Sequence, residues 1–478
     1  MATQGEALQE HQTVNTFNFQ PFGTLLQSGI QQAVQDCGQA TVRKGTKLPP
    51  VFVIWVVLMS TIRRDLNGHQ ILNWMLSGIR WFEGWLPAAS KLVSDGALTH
   101  ARKRVGVEVF HRLFLLLRKQ HPSVSPDFHG RTTGAFDGGT GTMPDTVSNR
   151  TTWGKPGSSR RPAAFPQMRY MGLLVVATRT LWDVAYAPYR GKGTGERALM
   201  HRILARLGDL VLLLLIDAGL YSFKMVWTLQ HAGHDVIAKV PKSLKLPINT
   251  RLPDGSFLSQ IMDSFEDSTA SSSPTGRHTW RTETLNVRVI RGQIPGYRPW
   301  TLVTTLLDPA ISALEIAQHY HRRWDIEIAY DEIKTHQCAT LRGHAPTTFR
   351  SKCGELVEQE FYAMVIMYTT IRLIMAQAAK KTGVEPRDLS FLDSLQHLLD
   401  AAPFMGLHDE ARQVIVFDYL LEVLATTVLD HPRRPRLYPR VVKVARSKFP
   451  RKGDADVGCL RQLENPLTIL TGREEQAS

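Results

Sequence analysis

A chain of 478 residues, 43% apolar and 21% charged, has material for two or three domains with real cores, which excludes a small disulfide-held module or a disordered segment. Its 57 Lys and Arg outnumber 43 Asp and Glu, and the net charge of +14 points to a polyanionic partner, most often nucleic acid, although an acidic membrane surface would attract the same excess. Four cysteines, at 37, 338, 353 and 459, form no C-x-x-C pair, so neither a zinc ribbon nor a disulfide framework is indicated and a reducing cytoplasm fits.

The polar start, MATQGEALQEHQ, has no signal-peptide core. Residues 1–125 read as a helical N-terminal domain. VFVIWVVLMSTI from Val51 is a buried helix, well short of the roughly 20 residues that span a bilayer. It breaks from the next apolar helix at Asn67-Gly68. Ser94 is a candidate N-cap for ALTHARKRVG, and Gly106 a candidate stop. Its Arg102, Lys103 and Arg104 suit a DNA-contacting helix, and equally an ordinary solvated helix end.

From Thr132 the pattern turns to strands. TTGAFDGGT predicts a strand running into a Gly-rich turn at Asp137, and MRYMGLLVVATRTLWDVAYAPYR a hairpin turning near Thr178. GERALMHRILARLGD predicts an amphipathic helix with Gly208 as its cap. DLVLLLLIDAGLYS is an apolar strand ending at Asp217, followed by a helix, FKMVWTLQHAG, and a strand, HDVIAKVP. That order implies an α/β layer with a mixed sheet. Residues 243–300 interrupt it with a PDG turn, the low-complexity STASSSPTG and two strand-like runs, a β-rich insertion. Residues 355–378 and 390–428 are apolar helices, and HPRRPRLYPRVVKVARSKFPRKG is a basic extension.

Between insertion and C-terminal helices lies AQHYHRRWDIEIAYDEIKTH, Ala317–His336, with helix length and neither Pro nor Gly. At about 100° per residue, Tyr320, Arg323, Glu327 and Lys334 fall near 0°, −60°, −20° and −40°, on one polar face. A surface helix laced with ion pairs fits that spacing too. Asp331, near +20° in the same projection at about 100° per residue, is not excluded by spacing.

Three acids stand out by position. Asp137 and Asp217 each end a predicted strand before small residues, and adjacent strand ends are where α/β sheets place their sites. Glu327 is on the polar helix face. Three carboxylates without His or Cys favour Mg²⁺ or Mn²⁺, and two such ions about 3.5–4 Å apart serve phosphoryl transfer. Asp145 and Glu196, in a loop and at a helix start, read as dipole or surface partners. His336 and the other His show no zinc spacing.

These blocks resemble the DDE transposases of bacterial insertion sequences, in particular the insertion sequence 4 family. Its Y-(2)-R-(3)-E-(6)-K signature is met at every spacing by Tyr320, Arg323, Glu327 and Lys334. Its first Asp block is matched by Asp137-Gly138-Gly139-Thr140 with Met143-Pro144-Asp145-Thr146, and its second, D-R-G-F-Y, by Asp217-Ala218-Gly219-Leu220-Tyr221, which lacks the Arg at 218. The resemblance spans residues 45–452. It implies a ribonuclease H-like mixed-sheet core at 126–345, flanked by a DNA-binding N-terminal domain and a helical C-terminal region at 346–452, with 453–478 a disordered tail.

Asp137, Asp217 and Glu327 would be catalytic and hold two Mg²⁺ or Mn²⁺ ions. Tyr320, Arg323 and Lys334 would contact DNA, and Trp300, with Trp280 as its rival, would hold a flipped base. The implied activity is cut-and-paste transposition on double-stranded DNA through a hairpin, by a cytoplasmic homodimer with no membrane partner. A domesticated protein that only binds DNA, or a nuclease without strand transfer, are the alternatives.

Overall fold

Apolar spacing sets the N-terminal helices. α1 (Gly23–Asp36) buries Leu26, Ile30, Ala33 and Val34, one helical stripe. α2 (Pro50–Ile62) starts on a proline, which the first turn tolerates, and is buried almost throughout. Ser94 caps α3 (Asp95–Val105), its hydroxyl accepting the Ala97 N–H at 3.2 Å, and Gly106, at φ 71°, stops it, both as expected. α4 (Glu108–Arg118) turns Val109, Phe110, Leu113 and Leu117 inward and packs on α1. In this computed structural model the described residues are 19–41, 48–75 apart from 69 and 73, 94–120, 126–157, 163–266, 280–293, 299–338, 347–405 and 409–429. The basic extension and the tail expected at 453–478 lie outside them.

The centre is a sheet. In chain order come β1 (Thr133–Thr142), α5 (Val147–Trp153), β2 (Gln167–Val175), β3 (Thr180–Pro188), α6 (Glu196–Leu204), β4 (Leu213–Ile216), α7 (Phe223–His231) and β5 (Asp235–Lys239). β6 (Thr250–Arg251), β7 (Phe257–Glu266), β8 (Trp280–Gly292) and β9 (Trp300–Thr304) follow. The nine strands order as β3-β2-β1-β4-β5-β9-β8-β7-β6. β1, β4 and β5 are parallel neighbours, and the β2–β3 hairpin joins β1 antiparallel. The mixed α/β layer is as expected.

Three details differ from the sequence reading. β1 does not turn at Asp137 but runs on through the glycines, paired with β2 from Gly134↔Val175 to Thr142↔Gln167. The antiparallel ladder with β2 overrides the turn preference of glycine because it offers the backbone hydrogen-bond partners along this length. The β-rich segment extends the main sheet rather than standing apart, since β9 pairs with both β5 and β8. β7 was not expected as a strand: Met262 and Asp263 are exposed in it, and polar Ser259 is buried, so no clean alternation marks it.

The predicted helix at 317–336 starts earlier and is not uniform. It runs as α8 (Ala313–Tyr320), a 3₁₀ turn (His321–Arg323), α9 (Trp324–Asp331) and a π turn (Glu332–Gln337). Ser312 and Glu315 form a capping box at its start. α10 (Gly354–Thr382), α11 (Phe391–Met405) and α12 (Glu410–Ala425) complete the fold. Among the described residues α10 alone has the length and hydropathy to cross a membrane, but 89% of that window is buried in the protein. It packs against α2, α4 and α12, as a core helix does.

Candidate active site

The two faces of the sheet meet different partners, and strand alternation decides which residues go where. Ala135, Leu213, Leu215 and Ile237 share a cluster with Ile316, Tyr320, Ile326 and Tyr330 of the rod from Ala313 to Gln337. Phe136, Leu214, Ile216 and Val236 share the other with Leu199, Met200 and Ile203 of α6. Each such buried aliphatic side chain contributes about 1.5–3 kcal/mol. The last recorded pair of β1 and β4 is Ala135↔Leu215. Two residues beyond that pair, in the same parity, come Asp137 and Asp217, and the charge of Asp217 reaches Asp137. Both therefore belong to the face covered by the rod, on neighbouring strands about 4.8 Å apart.

The rod is fastened to this edge by two phenols. Tyr320 Oη donates to the Ile216 carbonyl at 3.2 Å, one residue before Asp217. Tyr330 Oη donates to the Asp137 carbonyl at 2.8 Å. Gly172, opposite Asp137 on β2, leaves room for that phenol, since a Cβ there would stand 2.7 Å from it. Glu327 lies between these anchors, and its Oε1 accepts Nη2 of buried Arg323 at 2.7 Å. Lys334 places its ammonium 5.5 Å from the Tyr170 ring centre and 5.9 Å from that of Tyr330, within electrostatic reach of Asp137.

Asp137 carries the clearest electrostatic signature. Burial raises its carboxyl from an ordinary 3.8 to about 6. The Gly138 N–H, 2.8 Å away, and Arg323 oppose the rise, while the charges of Glu327 and Asp217 add to it. Three carboxylates thus repel one another at an edge with Arg323 as the cation bonded to one of them. Asp217 is held by the N–H groups of Gly219 and Leu220, at 2.9 and 3.0 Å. No group of three His, Cys, Asp or Glu among the described residues is drawn together as a ready cage. The oxygen-only chemistry of Asp137, Asp217 and Glu327 is of the kind that suits Mg²⁺ or Mn²⁺.

Other candidates go elsewhere. Asp331 is exposed and accepts the Thr335 hydroxyl at 2.8 Å. Asp145 is tied to Lys155 at 2.7 Å and Arg150 at 3.1 Å. Trp300 opens β9 and lies on Gly292, where a Cβ would stand 2.2 Å from its ring. Its indole N–H is buried with no partner. Trp280 opens β8, paired with Glu266. The basic residues of α3 are engaged: Arg102 donates to Ser351 Oγ and the Leu356 carbonyl, Arg104 to the Leu48 carbonyl at 2.7 Å, and Lys103 pairs with Glu355 at 2.7 Å. The ordinary helix-end reading describes them better than a free basic patch.

Sequence reasoning missed what holds the rod from behind. Buried Glu332, in the π turn, accepts Arg372 Nε at 3.1 Å and Tyr368 Oη at 3.0 Å, and Arg179 Nη2 meets Asp325 Oδ1 at 2.7 Å. These partners are far apart in sequence, so no local spacing announces them. Gly172 and Tyr330 were equally silent.

With this geometry in hand, comparison is informative. The family model described as insertion element 4 transposase N-terminal matches residues 24–115. "Transposase InsG for insertion sequence element IS4" of Escherichia coli (strain K12) is 27% identical over 88% of this chain and 91% of its own. "Putative transposase InsZ" of the same organism is 30% identical over 43% of this chain and 64% of its own. A cryo-EM structure of the piggyBac transposase synaptic complex with hairpin DNA aligns over 98% of this chain and 91% of that one, at 9% identity and a TM-score of 0.42.

Proposed function

The chain belongs to the insertion sequence 4 family of transposases, and from that premise we propose that it cuts the ends of its own element and joins them to target DNA at Asp137, Asp217 and Glu327. The observation that supports this reading is the register Ala135↔Leu215 of β1 and β4, two residues before each Asp, with Tyr320 bonded to the Ile216 carbonyl and Tyr330 to the Asp137 carbonyl on either side of Glu327. An antiparallel β3-β2-β1 ribbon continued by parallel β4 and β5 supports a ribonuclease H-like core, with β6 to β8 as the insertion. Two Mg²⁺ or Mn²⁺ ions held by the three carboxylates would neutralise the scissile phosphate and activate the attacking oxygen.

The chain's own groups then divide the work. Arg323, once freed from Glu327, is the buried cation that faces a phosphate, and its planar fork suits two phosphate oxygens. Lys334 adds a point charge beside Asp137. Tyr320 fixes the strand end that presents Asp217, besides any contact with the DNA end. A base-holding role for Trp300 requires its indole to leave the Gly292 backbone. Residues 1–125 bind DNA, two copies pair the two ends, and the work is done in the bacterial cytoplasm. The route is cut-and-paste through a hairpin, as the resemblance implies.

The test is cleavage of DNA carrying the inverted repeats that flank the reading frame, in Mg²⁺. Asp137→Asn, Asp217→Asn and Glu327→Gln are expected to bind this DNA and leave it intact. A single one of them that still cuts sinks the triad. Nicked ends that never join to target identify a nuclease instead, and binding by the wild type without nicking identifies a DNA-binding protein.

A further inference from the structure

The Asp217 carboxylate is bonded within its own loop, and that loop is held in turn from another element. Asp217 Oδ1 accepts the N–H groups of Gly219 and Leu220, and the peptide unit that carries the Leu220 N–H is also gripped at its carbonyl, that of Gly219. The Gly219 carbonyl accepts Nε of Arg197 at 3.3 Å and Nη2 at 3.1 Å, and the same Nη2 reaches the Tyr221 carbonyl at 3.0 Å. Arg197 sits in the first turn of α6, on the sheet face away from the carboxylates. Its neighbour Glu196 lies against β1: a Cβ on Gly138 would stand 2.8 Å from the Glu196 carboxyl carbon. The first turn of α6 therefore touches both acid-bearing segments from behind, Glu196 one residue past Asp137 and Arg197 just past Asp217. This is also the loop in which Ala218 replaces the arginine of the D-R-G-F-Y pattern.

We propose that Arg197 is a positioning residue for the Asp217 carboxylate, acting through Gly219, and that it brings to this loop the guanidinium that Ala218 cannot. The inference rests on the reading of Asp217 as a metal ligand. Glycine has the most backbone freedom to lose, so a loop turning on Gly219 stays ordered only while its peptide is held. Arg197 holds the Gly219 carbonyl, and the N–H of that same peptide unit, that of Leu220, donates to Asp217 Oδ1. Releasing the carbonyl lets the peptide turn, and the carboxylate turns with it. Groups that orient a metal ligand in this indirect way typically change metal affinity by about 10–100-fold.

Mn²⁺ binding by the full-length protein, followed through the electron paramagnetic resonance signal of free Mn²⁺, tests this without any need for turnover. Arg197→Ala is expected to weaken Mn²⁺ binding about 10-fold with an unchanged melting temperature, and Arg197→Lys, which can still donate to a carbonyl, to recover most of the loss. Asp137→Asn is the reference. Wild-type Mn²⁺ affinity in Asp137→Asn removes the acids as ligands. Loss in Asp137→Asn beside wild-type affinity in Arg197→Ala removes the role of Arg197 alone. Should Arg197→Ala fail to fold, Arg197→Gln decides by the same measurement. A loss of affinity that merely follows a falling melting temperature across these variants also overturns the proposal.

Discussion

α3 and the rod from Ala313 to Gln337 both present clustered basic residues in the sequence, and the fold uses them in opposite ways. In α3, Arg102, Lys103 and Arg104 are consumed by partners within the chain, chiefly at the start of α10 and its approach. In the rod, Arg323 and Lys334 lie within electrostatic reach of Asp137, in the middle of β1. The difference lies in what each helix packs against. α3 meets carbonyls, the Ser351 hydroxyl, exposed Glu355 and buried Glu360, and Glu360 is already bonded by the N–H groups of Arg350 and Ser351 and the Ser351 hydroxyl. The rod meets Asp137 and Asp217, whose repulsion leaves a need for cations that Arg323 only partly meets. The basic cluster is informative where the acid across from it is crowded by further acids, as Asp137 is, and not where that acid is already bonded, as Glu360 is.

Mutations can break or sharpen this contrast. The largest effect is expected at the acids: Asp137→Asn, Asp217→Asn or Glu327→Gln should cost at least ~10³-fold in end cleavage, measured as the single-turnover rate, because a carboxylate that would hold the metal ions is lost. Lys334→Ala and Arg323→Ala should slow the same step about 10–100-fold while leaving the protein folded, and a Lys334→Ala protein at wild-type rate would remove its place beside Asp137. Arg102→Ala should do the reverse. It should lower stability to denaturant by about 1–3 kcal/mol, through the carbonyl and hydroxyl left unpaired, with no change in the salt dependence of DNA binding. A shallower salt slope in Arg102→Ala would return α3 to the DNA interface.

A pH effect follows at the acids and not at α3. Asp137 in the folded chain keeps its proton up to about 6, above its ordinary 3.8. The folded state thus binds more protons than the unfolded one between those values, and this group's contribution to stability falls as pH rises through that window. Mn²⁺ must displace the same proton, so wild-type affinity should weaken as pH falls below about 6, measured by the same resonance titration. The smallest effect is expected for Lys103→Ala. Its pair with Glu355 is exposed on both sides, so neither melting temperature nor DNA affinity should move measurably.

Much of this was legible in the chain. The run LVLLLLID announces β4 and the acid at its end, because a fully buried strand needs an unbroken apolar run. The order of strands and helices gave the mixed layer for the same reason, and the four signature positions needed only spacing. The rest depended on partners distant in sequence. Gly138, Gly139 and Gly141 read as a turn because nothing local shows β2 lying alongside. The π turn at Glu332 cannot be seen without Arg372 and Tyr368, and a uniform projection of about 100° per residue carries an error past each change of helix type. Arg197 and Glu196 looked like an ordinary helix start, since the loop and strand they touch come from elsewhere.

The continuity of the sheet has a mechanical consequence. β9 is hydrogen-bonded to β5 on one side and to β8 on the other, and β5 is bonded in turn to β4, whose end carries Asp217. The outer strands therefore act as a lever arm on a shared hinge of backbone bonds. A load that twists β7 and β8 is transmitted rung by rung to the strand that carries the acid, without crossing any side-chain interface.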